Sequence, residues 1–129
     1  MNTYHYARTV DLPMAEAEAR VRGTLQEEGF GILTEIDIQA TLKKKLDVDM
    51  RPYKILGACN PPAAHRALQA EPLIGTMLPC NVILHDIGDG QTEIAAVDPV
   101  ASMSAVENDA LGEIAAEIRD RLRTAVDNV

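Results

Sequence analysis

The chain has 129 residues, with 20 Asp and Glu against 12 Lys and Arg, and a formal net charge of −8. That length suits one domain, read here as a single α+β domain over residues 1–129. The acidic balance excludes the phosphate-neutralising surface that nucleic-acid or anionic-membrane binding requires.

No run approaches the roughly 20 apolar residues of a membrane span. The opening Met1-Asn2-Thr3-Tyr4 has neither the basic start nor the apolar stretch of a signal segment. The expected location is the cytoplasm, where cysteines are reduced thiols.

Thr3 to Val10 carries Tyr4, Tyr6 and Thr9 without Gly or Pro and predicts a strand. Asp11-Leu12-Pro13 predicts a helix start, with Asp11 as the cap and Pro13 in the first turn. Met14, Ala17, Val21 and Leu25 then recur at helical spacing, and Gly29 predicts a left-handed stop. Phe30 to Ile38 predicts a second strand, with Ile32, Thr34 and Ile36 on one face. Ile38, Leu42 and Leu46 follow as a short helix. Its Lys43-Lys44-Lys45 cluster reads as a solvated face, because Asp47 and Asp49 come directly after it.

Tyr53 to Cys59 is an apolar run that predicts a buried strand. Asn60 is placed to cap a helix opening at Pro61, with Ala64, Ala67 and Leu68 as its inner face, and Pro72 and Gly75 break the chain. Asn81 to Ile87 and Gln91 to Val97 form a hairpin around Gly88-Asp89-Gly90. Ser104 and Glu107 read as a capping box for a last helix striped by Leu111, Ile114, Ile118 and Leu122. The hairpin requires an antiparallel pair, and the strand–helix alternation before it permits parallel ones. The expectation is a two-layer α+β domain, a mixed sheet with packed helices, in the order β-α-β-α-β-α-β-β-α.

The two cysteines sit in near-copies of one local sequence, Ala58-Cys59-Asn60-Pro61 and Pro79-Cys80-Asn81-Val82, and they are the only two in the chain. A paired-thiol site would serve metal ligation, a reversible disulfide or a thiolate nucleophile, each needing an easily deprotonated sulfur. The plainer reading is two small buried side chains at strand ends. Cys59 directly precedes a helix start, whose positive end lowers a thiol pKa; Cys80 has no such help. No C-x-x-C spacing is present, and a zinc site would have to draw on the scattered His5, His65 and His85, which read as surface or structural residues.

The stretch Asp98 to Met103 reads as a small-residue loop. An anion at the following helix start would compete with Ser104 and Glu107 for its N–H groups. The candidate ligand-binding residues are therefore Cys59, Asn60, Cys80, Asn81 and Asp98. No catalytic motif, cofactor or metal is assigned.

Three segments, YKILGACNPPAAHRAL from Tyr53, IGTMLPCNVILHD from Ile74 and AAVDPVASM from Ala95, resemble a bacterial and archaeal family catalogued as domain of unknown function 302. The matching residues are Cys59, Asn60 and Pro61, then Leu78, Pro79, Cys80 and Asn81, then Asp98 and Pro99. The resemblance implies a compact α+β domain, often a homodimer, and no activity. Three readings stay open. The first is a domain binding a small molecule or metal ion near Cys59, Cys80 and Asp98. The second is a thiol-dependent redox enzyme with Cys59 as nucleophile and Cys80 as resolving partner. The third is a structural homodimerisation module.

Overall fold

The structure is a computed structural model describing residues 3–129; Met1 and Asn2, which head the segment read for a signal, lie outside it. Its strands are β1 (His5–Val10), β2 (Gly31–Asp37), β3 (Tyr53–Cys59), β4 (Cys80–Gly88) and β5 (Gln91–Val97). Its helices are α1 (Met14–Glu27), α2 (Ile38–Leu46), α3 (Pro61–Ala70), α4 (Pro99–Ser102) and α5 (Asp109–Asp127), with a 3-10 segment at Pro72–Met77. The class is α+β.

The sheet runs β1-β5-β4-β3-β2, and every neighbouring pair is antiparallel. This corrects the expected mixed sheet. A helix between consecutive strands gives a parallel pair only when it carries the chain back along the sheet. Here α2 and α3 join antiparallel neighbours at the sheet's ends, and α2 accordingly buries none of its residues. Only α1 makes a long crossing, from β1 at one edge to β2 at the other.

Strand alternation places Leu56, Ala58, Val82, Leu84, Ile94 and Ala96 on one face, all buried. Two helices pack there. Ala17, Val21 and Leu25 form a stripe at every fourth position of α1, and Leu111, Ile114, Ile118 and Leu122 form the stripe of α5. The end of α1 is a Schellman motif: Phe30 N–H donates to Leu25 O at 2.9 Å, Gly29 N–H donates to Gln26 O at 3.0 Å, and Gly29 sits at φ +87°. The β4–β5 hairpin turns on Asp89 and Gly90, both at positive φ, as a two-residue connection matching the strand twist requires.

Two expected caps are replaced. Asp11 does not cap α1. Its Oδ1 accepts from Gln91 Nε2 at 2.6 Å and ties the turn to β5. Ser104 and Glu107 do not open the last helix. Asp98 instead caps the short α4, Ser104 Oγ donates to Ala101 O at 2.8 Å, and α5 starts later behind Asn108. Asn108 serves two helices at once: its Oδ1 accepts from Leu111 N at 3.4 Å, and its Nδ2 donates to Ala70 O at 2.9 Å, at the end of α3. Ser104 lies four residues ahead of that cap, with its hydroxyl turned back onto Ala101 O.

The lysine cluster of α2 is solvated, and Lys43 Nζ lies 2.8 Å from Asp47 and 3.1 Å from Asp49. The β2 edge is held by a charge network. Lys54 Nζ stands 2.8 Å from Glu18 and 2.7 Å from Glu35, and Arg22 bonds the same two carboxylates.

Candidate functional site

β3 ends and β4 begins at the same end of the sheet, with Ala58 directly opposite Cys80. The two cysteine motifs, 21 positions apart, therefore meet in space. Between these strand ends, α3 and α5 lies a cavity of about 360 Å³ that both Cys59 and Cys80 line. Its helical walls are Ala63, Ala64 and Ala67 of α3 and Ile114, Ala115 and Ile118 of α5. The small alanines explain the space: where α3 could present leucines to α5 it presents methyl groups. Phe30, Pro99 and Met103 close the remaining sides.

The candidate residues divide. Cys80 is buried and points inward with Val82 and Leu84; Cys59 is half-buried. Asn60 lines the cavity and caps α3, accepting from Ala63 N at 3.2 Å. Asn81 is exposed on the opposite face of the sheet, because the residue after an inward Cys80 must point outward. Asp98 is 9% exposed and does not line the cavity. Its Oδ1 accepts from Val100 N at 2.9 Å and Ala101 N at 3.4 Å, and its Oδ2 faces Arg123 Nη2 at 3.5 Å. The two Cys-Asn motifs are thus alike in sequence and different in role.

Burial pushes the Cys80 thiol up to about 11, with nearby Cys59 adding to the effect. The start of α3 offers Cys59 little. Pro61 and Pro62 have no N–H, and the N–H of Ala63 is already taken by Asn60. We expect a thiol reagent at pH 8 to modify Cys59 first and to leave Cys80 unmodified in the folded protein. Equal labelling of both by peptide mapping would contradict this burial. The folded chain holds the Cys80 proton to about 11, while the unfolded thiol releases it near 9.0, so stability falls as pH rises above the lower value.

Sequence reasoning missed Leu33, Phe30, Ile114 and Ile118 as lining residues. Leu33 is the telling case. The register of β2 against β3 shifts between Ile32 and Thr34, which leaves Leu33 as the extra residue of a bulge. Bulges re-aim side chains, and this one places Leu33 at the cavity mouth, 66% exposed. Leu68 of α3, expected on the inner face, lies at the cavity as well and is 41% exposed. The alanine run of α3 was the one local signal for a cavity.

Among the described residues, no three His, Cys, Asp or Glu side chains converge as a metal site, and no helix is long and apolar enough to cross a membrane. His85 is paired on the opposite face, its Nε2 lying 2.8 Å from Glu93 Oε1.

No curated protein matches this chain. Among solved structures, the chain is similar to the one described as the crystal structure of uncharacterized conserved protein DUF302 from Bacillus stearothermophilus. The two are 34% identical, with 98% of each chain covered and a TM-score of 0.91. The family model described as domain of unknown function DUF302 matches residues 6–129. With the match covering the five strands apart from His5 at the start of β1, both cysteine motifs and the Asp98-Pro99 pair, the chain belongs to the DUF302 family.

Proposed function

We propose that this chain is a binding domain that takes a small apolar molecule in the cavity beside Cys59 and Cys80. The observation that carries the reading is the cavity itself. Its volume of about 360 Å³ lies in the range of ligand sites, and its lining is almost wholly apolar. The small-molecule form is favoured over the metal form because the cavity presents two thiols and no third ligand. The redox form draws less support: Cys80 keeps its proton, and α3 has no free N–H for a Cys59 thiolate. Both thiols are free, which suits the reducing cytoplasm.

Titrating the labelled protein with naphthalene tests this by amide chemical shifts. We expect shifts concentrated at Phe30, Ala63, Ala67 and Ile114, abolished in Ala64→Phe, which puts a ring into the cavity. Shifts confined to the open sheet face, or none, would sink the reading.

A homodimer is the second proposal, supported by the uncovered face of the sheet. That face carries Tyr53, Ile55 and Ile83, half-buried, with Ile36 exposed at its β2 edge. A second copy packed there by two-fold symmetry would cover them. Sedimentation should give a dimer mass that Ile83→Asp converts to a monomer; a monomer mass for the unaltered protein at every concentration would end the proposal.

A further inference from the structure

We infer that the uncovered face of the sheet carries a second binding site, a hollow above Ala7 and Ala95 that takes a small alkylammonium ion beside the Glu93 carboxylate. The site lies across the sheet from the thiol cavity and stands or falls independently of it.

Strand register builds the hollow. On this face the side chains run in rows across the strands. One row is Thr9, Glu93, His85 and Tyr53; the next is Ala7, Ala95, Ile83 and Ile55. On β1 and β5 the second row therefore presents only methyl groups, with longer side chains around them. The space above them is about 380 Å³. Tyr4 and His5 line it from the β1 side, Tyr53 from β3, and Ile83 and Asn81 from β4. A second copy packed on this face, as in the homodimer proposed above, would roof the hollow, because its alanine floor is recessed.

Charge selects the ligand. No Lys or Arg lines the hollow, and Glu93 is its one carboxylate. Among the described residues that carboxylate is partnered only by the imidazole of His85, whose Nε2 lies 2.8 Å from Oε1, and the Glu93 side chain is 39% exposed. An anion would meet a like charge there. A neutral apolar guest would strip water from the carboxylate and give nothing in exchange. A cation meets the carboxylate together with the rings of Tyr4 and Tyr53, the combination by which aromatic-lined sites hold alkylated ammonium ions. The net charge of −8 favours the approach of a cation. A bare metal ion is served less well, because no three His, Cys, Asp or Glu side chains converge among the described residues.

Choline and dimethylbutanol, its uncharged isostere with carbon in place of the ammonium nitrogen, share one shape and differ in charge. Titrated into labelled protein at pH 8 and low salt, choline is expected to shift the amides of Ala7, Ala95 and Val97. It should bind at least about tenfold tighter than dimethylbutanol. Glu93→Gln keeps the size of the side chain and removes its charge. It should weaken choline about fivefold and leave dimethylbutanol unchanged. Tyr53→Leu, which keeps apolar bulk and removes the ring, should weaken choline about threefold.

Dimethylbutanol matching choline would overturn the inference. So would a choline affinity unchanged in either variant, or choline shifts centred on Ala63 and Ile114. Absence of choline binding would overturn it as well, and would leave the thiol-cavity reading, which naphthalene tests, untouched.

Discussion

Replacing Gly57 with alanine is expected to lower the melting temperature by about 10 °C, the equivalent of roughly 2–3 kcal/mol of overpacking. Gly57 stands in β3 between Thr34 of β2 and Asn81 of β4. A Cβ built there falls onto Thr34 Oγ1 and lies 2.7 Å from Pro79 Cγ. The strand cannot slide away, because its neighbours Leu56 and Ala58 are locked into the core on the other face. Thr34→Ala removes the hydroxyl and keeps a Cβ that sits at 3.4 Å. In that background Gly57→Ala should cost about half as much, with the Pro79 contact still in place. A Gly57→Ala variant that melts with the unaltered protein would show that β2 and the Pro79 turn give way freely, contrary to the packing described.

The second large effect is a contrast along one helix. Leu122→Ala should cost about 3–5 kcal/mol, because Leu122 is 1% exposed and enclosed on all sides. Ile118, one turn earlier on the same stripe, lines the cavity. Part of its surface already faces empty space, so Ile118→Ala gives up fewer contacts and should cost about 2 kcal/mol, the low end for such truncations. Urea unfolding of both variants reads the difference. Equal costs would mean that the space beside Ile118 is as tightly filled as that around Leu122.

Much of the fold was legible because its signals are local. Gly29 followed by an apolar Phe30 specifies a helix stop within six residues, and Asp89-Gly90 specifies a hairpin within two. Asn60-Pro61-Pro62 likewise announces a helix start by itself. The antiparallel sheet was not legible. Which strand lies beside which depends on where α2 and α3 leave the chain, and no residue of either helix records it. The last helix was misplaced because Ser104-x-x-Glu107 satisfies the capping pattern while Asp98 and Asn108, on either side, satisfy the backbone.

The candidate site was legible as a place and illegible as a shape. Cys59 and Cys80 drew attention through their repeated motif, and antiparallel pairing of β3 with β4 brings both to one cavity. The same pairing sends Asn81 to the opposite face, which the repeat could not foretell. The cavity walls come from segments more than 80 positions apart, Phe30 to Ile118, so no window of sequence contains them. The Leu33 bulge has no sequence signature at all: nothing in Ile32-Leu33-Thr34 says that one residue will lose its partner.

The account stands on a dry, apolar space beside the two thiols that takes an apolar guest, and a crystal pressurised with xenon tests that directly. Such cavities bind xenon where polar ones hold ordered water. The account predicts xenon between Ala63, Ala67 and Ile114, within reach of Cys80. Ordered water there, hydrogen-bonded to the lining, or a cavity collapsed by closure of α3 onto α5, would contradict it.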